Sequence, residues 1–342
     1  MADRIAFVTG STGLLGNNLV QALLTEGWHV RALARTEEKA NKQFDAHERL
    51  SIVIGDMTNV ARFARSLDGV DVVFHTAAFF RDNYKGGRHW NELKRVNVDG
   101  TAALIAAAYK SGVRRYVQIS SIAVLNGLPG TLIDETCERH PDDADDYYRS
   151  KILADREVQA FIAANEDMHA VFVLPGWMWG SGDMGPTSSG QLTLDTVSGN
   201  LLGIIPGSFS IVDVRDVVAA VISAAERGRR GERYLAAGKH MTMRELIPLI
   251  GRLAKVRVPT RELPLLLLYV IATIQELWGR LSGKPILLSL ANTRLLDKEA
   301  DRSHFNHAKS ERELGLSLRP VEATVGDTIA WYRNKGWLSE PV

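Results

Sequence analysis

Six short apolar runs, each followed by room for a helix, constrain this chain more than any other feature. They are Ile5–Thr9, His29–Leu33, Ser51–Ile54, Asp71–His75, Tyr116–Ser120 and Ala170–Leu174. Each is short and rich in Val, Ile and Phe, as a strand covered on both faces should be. Between them, helical periodicity predicts helices over Leu14–Glu26, around Glu92–Ser111 and over Tyr147–Ala164. Strand and helix in alternation give an α/β chain built on a parallel, doubly wound Rossmann sheet.

After Leu174 the pattern gives way to Gly- and Pro-rich stretches, read as loops, and from about Met241 it becomes mostly helical, ending in Val321–Lys335. This divides the chain into a nucleotide-binding unit over 1–175, to which 211–236 returns, and a smaller, mostly helical lobe formed by 176–210 and 237–342. Loops beyond the carboxyl ends of such strands are where open α/β sheets hold their ligands, so the smaller lobe is expected to bind the substrate.

The first strand runs directly into Thr9-Gly10-Ser11-Thr12-Gly13-Leu14-Leu15-Gly16 and then an apolar-periodic helix. Glycines at this point allow a tight turn, close approach of backbone N–H groups to a pyrophosphate, and close packing of helix on strand. In a strand-turn-helix setting the motif indicates a dinucleotide. The end of the second strand then bears on which one. No carboxylate stands there to accept hydrogen bonds from a ribose hydroxyl; instead Arg35 is followed by Lys39 and Lys42, which suits the 2'-phosphate of NADP(H) over NAD.

Composition excludes several other classes. With 45% hydrophobic and 24% charged residues the chain has ordinary globular usage, and a net charge of +1 leaves no field to draw nucleic acid. The basic run Arg227, Arg229, Arg230 reads as a solvated helix end. Cys137 is the sole cysteine, which rules out an intramolecular disulfide and fits a reducing, cytoplasmic setting. No export signal is visible at the N-terminus. The apolar run Leu263–Ile274 is too short to span a bilayer and is expected to be a buried helix, with an interfacial segment as the alternative. His304 and His307 lack an acidic or cysteine partner in the sequence, so they read as a solvated face and no metal site is expected.

Taken in order, the motifs resemble the extended branch of the short-chain dehydrogenase/reductase superfamily, which includes nucleotide-sugar epimerases, dihydroflavonol reductases and 3β-hydroxysteroid dehydrogenases. The resemblance covers nearly the whole chain. It rests on Thr9–Gly16, Gly55-Asp56-Met57, His75-Thr76-Ala77-Ala78, Asn97-Val98-Asp99-Gly100-Thr101, Ser120-Ser121, Tyr147 with Lys151, and Leu174-Pro175-Gly176.

Helical geometry alone leaves open whether Tyr147 or Tyr148 partners Lys151, since spacings of four and three both share a face. The family's Tyr-x-x-x-Lys motif selects Tyr147. By the same resemblance Lys151 holds the nicotinamide ribose and lowers the pKa of Tyr147, Ser121 polarises the carbonyl, and Ser120 and Tyr148 are structural or pocket residues. Gly10, Thr12, Gly13, Leu14, Leu15, Gly16, Arg35, Asp56, Met57, Ala77, Ala78 and Pro175 complete the implied cofactor site. His75 reads as a core or near-cofactor residue, and Asn97 as one that steadies the helix or a water.

Trp177, Met178 and Trp179, with Phe79, Phe80, Arg81 and Tyr84, suggest a pocket for an apolar or aromatic carbonyl compound. The expected activity is an NADP(H)-dependent carbonyl reductase or alcohol dehydrogenase. An NAD-retaining nucleotide-sugar epimerase and a cofactor-binding regulatory protein without turnover are the alternatives. Relatives also imply a homodimer through the helices Glu92–Ser111 and Tyr147–Ala164.

Overall fold

Alternate residues of each central strand feed two different cores, one on either face of a parallel sheet. In a computed structural model, which describes residues 4–80, 89–282, 290, 293, 299 and 301–339, the strands are β1 (Ile5–Thr9), β2 (His29–Ala34), β3 (Leu50–Ile54), β4 (Val72–His75), β5 (Arg115–Ile119), β6 (His169–Pro175), β7 (Trp177–Trp179), β8 (Ser208–Asp213), β9 (Arg233–Ala236) and β10 (Lys239–Thr242). Ala6, Val8, Val72, Phe74 and Val117 pack under helices Leu14–Thr25 and Val214–Arg227. Phe7, Val73, Tyr116 and Phe172 face the opposite way, beneath Gly100–Lys110 and Asp146–Ala164. This two-sided burial is why the strands read as unbroken apolar runs.

The main sheet has the order β3-β2-β1-β4-β5-β6-β9, with every neighbour parallel. The order reverses between β1 and β4. Their helices therefore leave on opposite faces and a crevice opens beyond the carboxyl ends, where a doubly wound sheet holds its ligand. Glycine sets the geometry there. Gly10 has φ +64°, and a Cβ on it would stand 2.7 Å from the backbone of Ala77 at the end of β4. At Gly16 a Cβ would meet the Gly10 carbonyl oxygen at 2.2 Å, so the first helix can lie this close to its strand only with glycine at that position.

The expected loops after Leu174 are partly sheet. β7, β8 and β10 form a second sheet in the order β10-β8-β7, packed on helices Met243–Ala254 and Val321–Asn334. Strands of three residues carry too little periodicity to be read. The helical C-terminal reading agrees with helices Met243–Ala254, Leu265–Ser282, Ala308–Leu314 and Val321–Asn334.

Two surface expectations need correction. The segment around Leu263–Ile274 is not a buried helix: Leu266 is 77% exposed, Ile274 61% and the following Trp278 65%, while Leu268 and Ala272 face inward. At 100° per residue a run of consecutive leucines cannot point to one side, and the remainder of the protein covers only one stripe. No helix among the described residues is long and apolar enough to cross a membrane. The arginine cluster is also not a free helix end. Arg227 donates to the Leu314 carbonyl at 2.7 Å, Arg229 pairs with Glu313 at 2.9 Å, and Arg230 donates to the Met168 carbonyl at 2.9 Å. Arg227 and Arg229 hold the helix Ala308–Leu314 against the end of the helix Val214–Arg227, and Arg230 ties that end to the turn before β6.

Because the Gly16 contact is backbone against backbone, Gly16→Ala is expected to lower stability by about 2–3 kcal/mol, the upper range for overpacking. A urea titration read by far-ultraviolet circular dichroism measures it, and an unchanged midpoint would show that the helix can retreat at no cost.

Candidate active site

Three carboxyl-end segments and one helix converge beyond the crevice. β1 leads into the glycine turn, where Gly13 N–H donates to the Gly10 carbonyl at 3.0 Å. The helix Leu14–Thr25 then begins with Gly13 exposed and no side chain capping it. An uncapped N-terminus keeps unsatisfied N–H donors and a partial positive charge, which suits an anion.

β1 and β4 are tied by a buried polar chain. The Thr9 hydroxyl bonds His75 Nδ1 at 2.7 Å, and His75 Nε2 bonds the Thr101 hydroxyl at 2.9 Å. The Thr76 hydroxyl donates to the Thr9 carbonyl at 2.6 Å, and Ala77 N–H donates to the Thr9 hydroxyl at 3.2 Å. Burial, with the Lys151 charge nearby, pushes the His75 pKa down to about 3. His75 therefore sits neutral in the core, as the sequence suggested.

At the end of β2, Arg35 is exposed and makes no hydrogen bond or ion pair among the described residues. Its charge lowers the pKa of Lys39. It also helps Thr58, whose N–H bonds the Asp56 carboxylate at 2.8 Å, to hold Asp56 below its ordinary value against the opposing effect of burial. Met57 is buried beneath this edge and contacts the Gly100 helix start through the space a side chain there would fill.

The two serines after β5 separate. Ser120 is 3% exposed and its hydroxyl turns inward, donating to Asp155 Oδ2 at 2.5 Å. Ser121 is half-buried at the strand end, where its hydroxyl accepts from Ala123 N–H at 3.1 Å and caps a short 3₁₀ turn, Ile122–Val124. Asp145 caps the helix Asp146–Ala164 through Tyr148 N–H, which fixes where Tyr147 and Lys151 emerge.

Tyr147 is buried, with the Phe80 ring edge-on at 4.7 Å. Lys151 is 5% exposed and its ammonium donates to the Ile119 carbonyl at 2.7 Å. Burial lowers the Lys151 pKa and the Asp155 charge opposes the fall. Tyr148 lies on a different surface, under the Arg139 guanidinium at 4.9 Å.

Asn97 sits in a π-helical turn, Lys94–Asp99, and joins three segments. Its carboxamide accepts from Phe79 N–H at 2.7 Å and donates to the Phe79 carbonyl at 3.0 Å and the Ser150 hydroxyl at 3.0 Å. The sequence could not anticipate these bonds, because Phe79 and Ser150 lie 18 and 53 residues from Asn97. Pro175 ends β6 in register with Ala236, buried beside the same crevice.

A cavity of about 100 Å³ is lined by Ile122, Leu125, Tyr148, Trp177, Phe209 and Phe305, which include the chain neighbours of Ser121 and Tyr147 but neither of those residues. Its polar lining includes Ser210, whose buried hydroxyl has no hydrogen-bond partner among the described residues. Of the aromatic cluster expected here, Trp177 lines the cavity and Met178 is half-buried, whereas Trp179 is fully buried in the core of the smaller sheet. Arg81 and Tyr84 lie outside the described residues.

His304, expected to stand without an acidic partner, meets Asp301 at 3.1 Å and stacks on His240 at 3.6 Å between ring centroids. Ligand atoms of all three lie within 4.8 Å of one another. The rings are only 17° from parallel, so their nitrogen lone pairs run side by side and do not converge on one point. His307 instead accepts from Gly238 N–H at 3.1 Å.

The NAD dependent epimerase/dehydratase family profile matches residues 6–237. Sterol demethylase protein B of Methylococcus capsulatus is 34% identical over 97% of this chain and 99% of its own. A putative dihydroflavonol 4-reductase of Synechocystis is 29% identical over 99% and 97%. In fold, the chain is similar to DesIV, a dTDP-glucose 4,6-dehydratase from Streptomyces venezuelae solved with NAD and TYD bound. The TM-score is 0.74 over 98% of this chain and 99% of that one, at 21% identity.

The neutral His75 has a consequence for acid stability. With a folded pKa of about 3 against 6.5 when unfolded, the unfolded chain takes up the extra proton between these values. Stability attributable to this residue is thus full above pH 6.5 and falls as the pH drops. Between pH 7.5 and 5 wild type should lose about 2 kcal/mol more than His75→Gln, by the linkage relation. Urea titrations at both pH values check the difference, and parallel losses would place the acid sensitivity elsewhere.

Proposed function

This chain belongs to the NAD dependent epimerase/dehydratase family, and from that premise we propose that it is an NADP(H)-dependent carbonyl reductase or alcohol dehydrogenase acting on an apolar or aromatic aldehyde or ketone. At the coarser level it is an NAD(P)-dependent oxidoreductase-type enzyme of the extended short-chain dehydrogenase/reductase group. The observation that carries the finer reading is the buried Lys151 ammonium one helical turn from the buried Tyr147, with the Ser121 hydroxyl at the neighbouring strand end.

The residues at the crevice fit a nicotinamide dinucleotide. The glycines of the turn place no side chain against a pyrophosphate, and the uncapped helix N-terminus, with the backbone N–H groups of Thr12, Leu14 and Leu15, would offer donors to it. Arg35, without a protein partner, is free to meet a 2'-phosphate, and the positive field it shares with Lys39 favours NADP(H). Asp56 and Met57 border the adenine side, Ala77 and Ala78 pass beside the dinucleotide, and Pro175 backs the nicotinamide end. When bound, the cofactor supplies or accepts the hydride.

Tyr147 gives a proton to the carbonyl oxygen in the reductive direction and takes it back in the oxidative one. Lys151 keeps that phenol acidic enough to act near neutrality, since a fixed ammonium favours phenolate. Ser121 donates a second hydrogen bond to the same oxygen as charge develops there. The apolar lining of the cavity selects the substrate's body, and Trp177 and Phe209 form its aromatic wall. The sterol and dihydroflavonol names of the relatives point to the same substrate character.

Two measurements test this reading. Fluorescence titration should show NADPH binding preferred over NADH, with Arg35→Ala weakening NADPH about 10- to 100-fold and leaving NADH nearly unchanged, as expected for loss of one charge-assisted bond. Tightly retained NAD in the purified protein would instead favour a nucleotide-sugar epimerase. In a screen of apolar ketones and aldehydes, Tyr147→Phe should reduce turnover by about 10²- to 10⁴-fold while binding NADPH normally, and Tyr148→Phe should not. Equal losses from both would undo the assignment of the acid.

A further inference from the structure

Behind the proposed Tyr147–Lys151 pair lies a carboxyl group that the mechanism above does not use. Asp155 follows Lys151 by one helical turn, just as Lys151 follows Tyr147, so the three share one face of the helix. It is 0% exposed. Ser120 reaches in from the end of β5 and donates to Oδ2 at 2.5 Å, the Gln118 side chain adds a weaker stabilising contact, and Oδ1 has no close hydrogen-bond partner among the described residues. No direct ion pair joins Asp155 to Lys151 among the described residues, and the ammonium donates to the Ile119 carbonyl one residue before Ser120.

A buried, half-satisfied carboxylate costs stability unless a charge nearby offsets it. We propose that Asp155 is a positioning residue: its carboxylate, held by Ser120, is the fixed counter-charge that keeps Lys151 an ammonium behind Tyr147. The inference rests on the Tyr147–Lys151 reading of the preceding subsection.

The surroundings of Asp155 are specific enough to argue from. On its own helix, Lys151 is the neighbouring charge. From β5 come the Ser120 hydroxyl, Gln118 and the phenol of Tyr116, whose own ionisation is pushed far up by burial and by the Asp155 charge. From β9 comes Arg233, which is paired with Glu138 at 2.5 Å. From β4 comes His75, which is uncharged, its pKa held down to about 3 by burial and by the Lys151 charge. Burial raises the Asp155 pKa to about 6, opposed by Ser120, Lys151, Arg233 and Gln118, so the group is ionised at neutral pH. Its negative charge makes removal of a proton from Lys151 harder. Without it, Lys151 should lose its proton at lower pH, and Tyr147, no longer beside an ammonium, should keep its own to higher pH.

The test uses the full chain labelled with ¹³Cζ-tyrosine, the Tyr147 resonance being identified by its loss in Tyr147→Phe. In wild type Tyr147 should titrate below the ordinary tyrosine value. Asp155→Asn should raise that midpoint towards the ordinary tyrosine value by about one pH unit, because Lys151 then loses its charge more readily, and Asp155→Glu should restore it. A residue that only braces the helix would alter thermal stability in Asp155→Asn and leave the midpoint where it was, and that result overturns the inference alone. An ordinary Tyr147 midpoint in wild type overturns the Tyr147–Lys151 reading, and the inference with it.

If Asp155→Asn does not fold, the reciprocal measurement decides. The Asp155 ¹³Cγ midpoint should be higher in Lys151→Met than in wild type, because linked charges act on each other equally. An unchanged midpoint there overturns the proposal.

Discussion

A lysine ammonium removed from water is the constraint around which the carboxyl edge of the sheet is arranged. Lys151 is almost wholly buried, and a charge in that position demands acceptors and counter-charge from elements distant in sequence. The acceptor is the Ile119 carbonyl at the last residue of β5. The neighbouring carboxyl is Asp155, itself anchored by Ser120. The helix Asp146–Ala164 can satisfy Lys151 only when docked in this register on β5, and the same register sets the positions of Tyr147 on the helix and Ser121 just past the strand.

The crevice side depends on a second set of close approaches. Gly10 and Gly16 let the first helix crowd β1, and the Thr9–His75–Thr101 chain locks β1 to β4 where the strand order reverses. All of these are short contacts between buried groups, so the two halves of the site are joined by a stiff floor. The walls are less uniform. Trp177 and Phe209 come from a small second sheet, and Phe305 from the segment that precedes the helix Ala308–Leu314.

Much of this was legible in the residues. The central strands of the seven-stranded main sheet are apolar because both faces are covered, and the glycine turn is recognisable because its sterics admit few alternatives. The inward turn of Ser120 and the strand-end position of Ser121 follow from strand alternation, which puts successive side chains on opposite faces. What was not legible depends on distance in sequence or on very short elements. Ser120 and Asp155 meet across 35 residues, and His240 and His304 across a longer span. β7 has only three residues, and β9 falls in the segment 211–236 that was expected to return to the nucleotide-binding unit, although no strand was read within it. The exposed leucines of Leu265–Ser282 misled for a different reason: hydrophobicity alone says that a segment is apolar, not how much of its circumference the protein covers.

The π turn at Lys94–Asp99 can be viewed as an inserted residue that the helix absorbed and never removed. Each extra residue in a helix rotates everything on one side of it by about 100° relative to the other. Asn97 lies within the widened turn and bonds Phe79 and Ser150, while Thr101, just past it, bonds His75, so the turn sets the phase in which both side chains reach their partners. The local loss in hydrogen-bond regularity is thus what lets a single helix serve two addresses: the polar floor beneath the crevice and the brace of the helix that carries Tyr147.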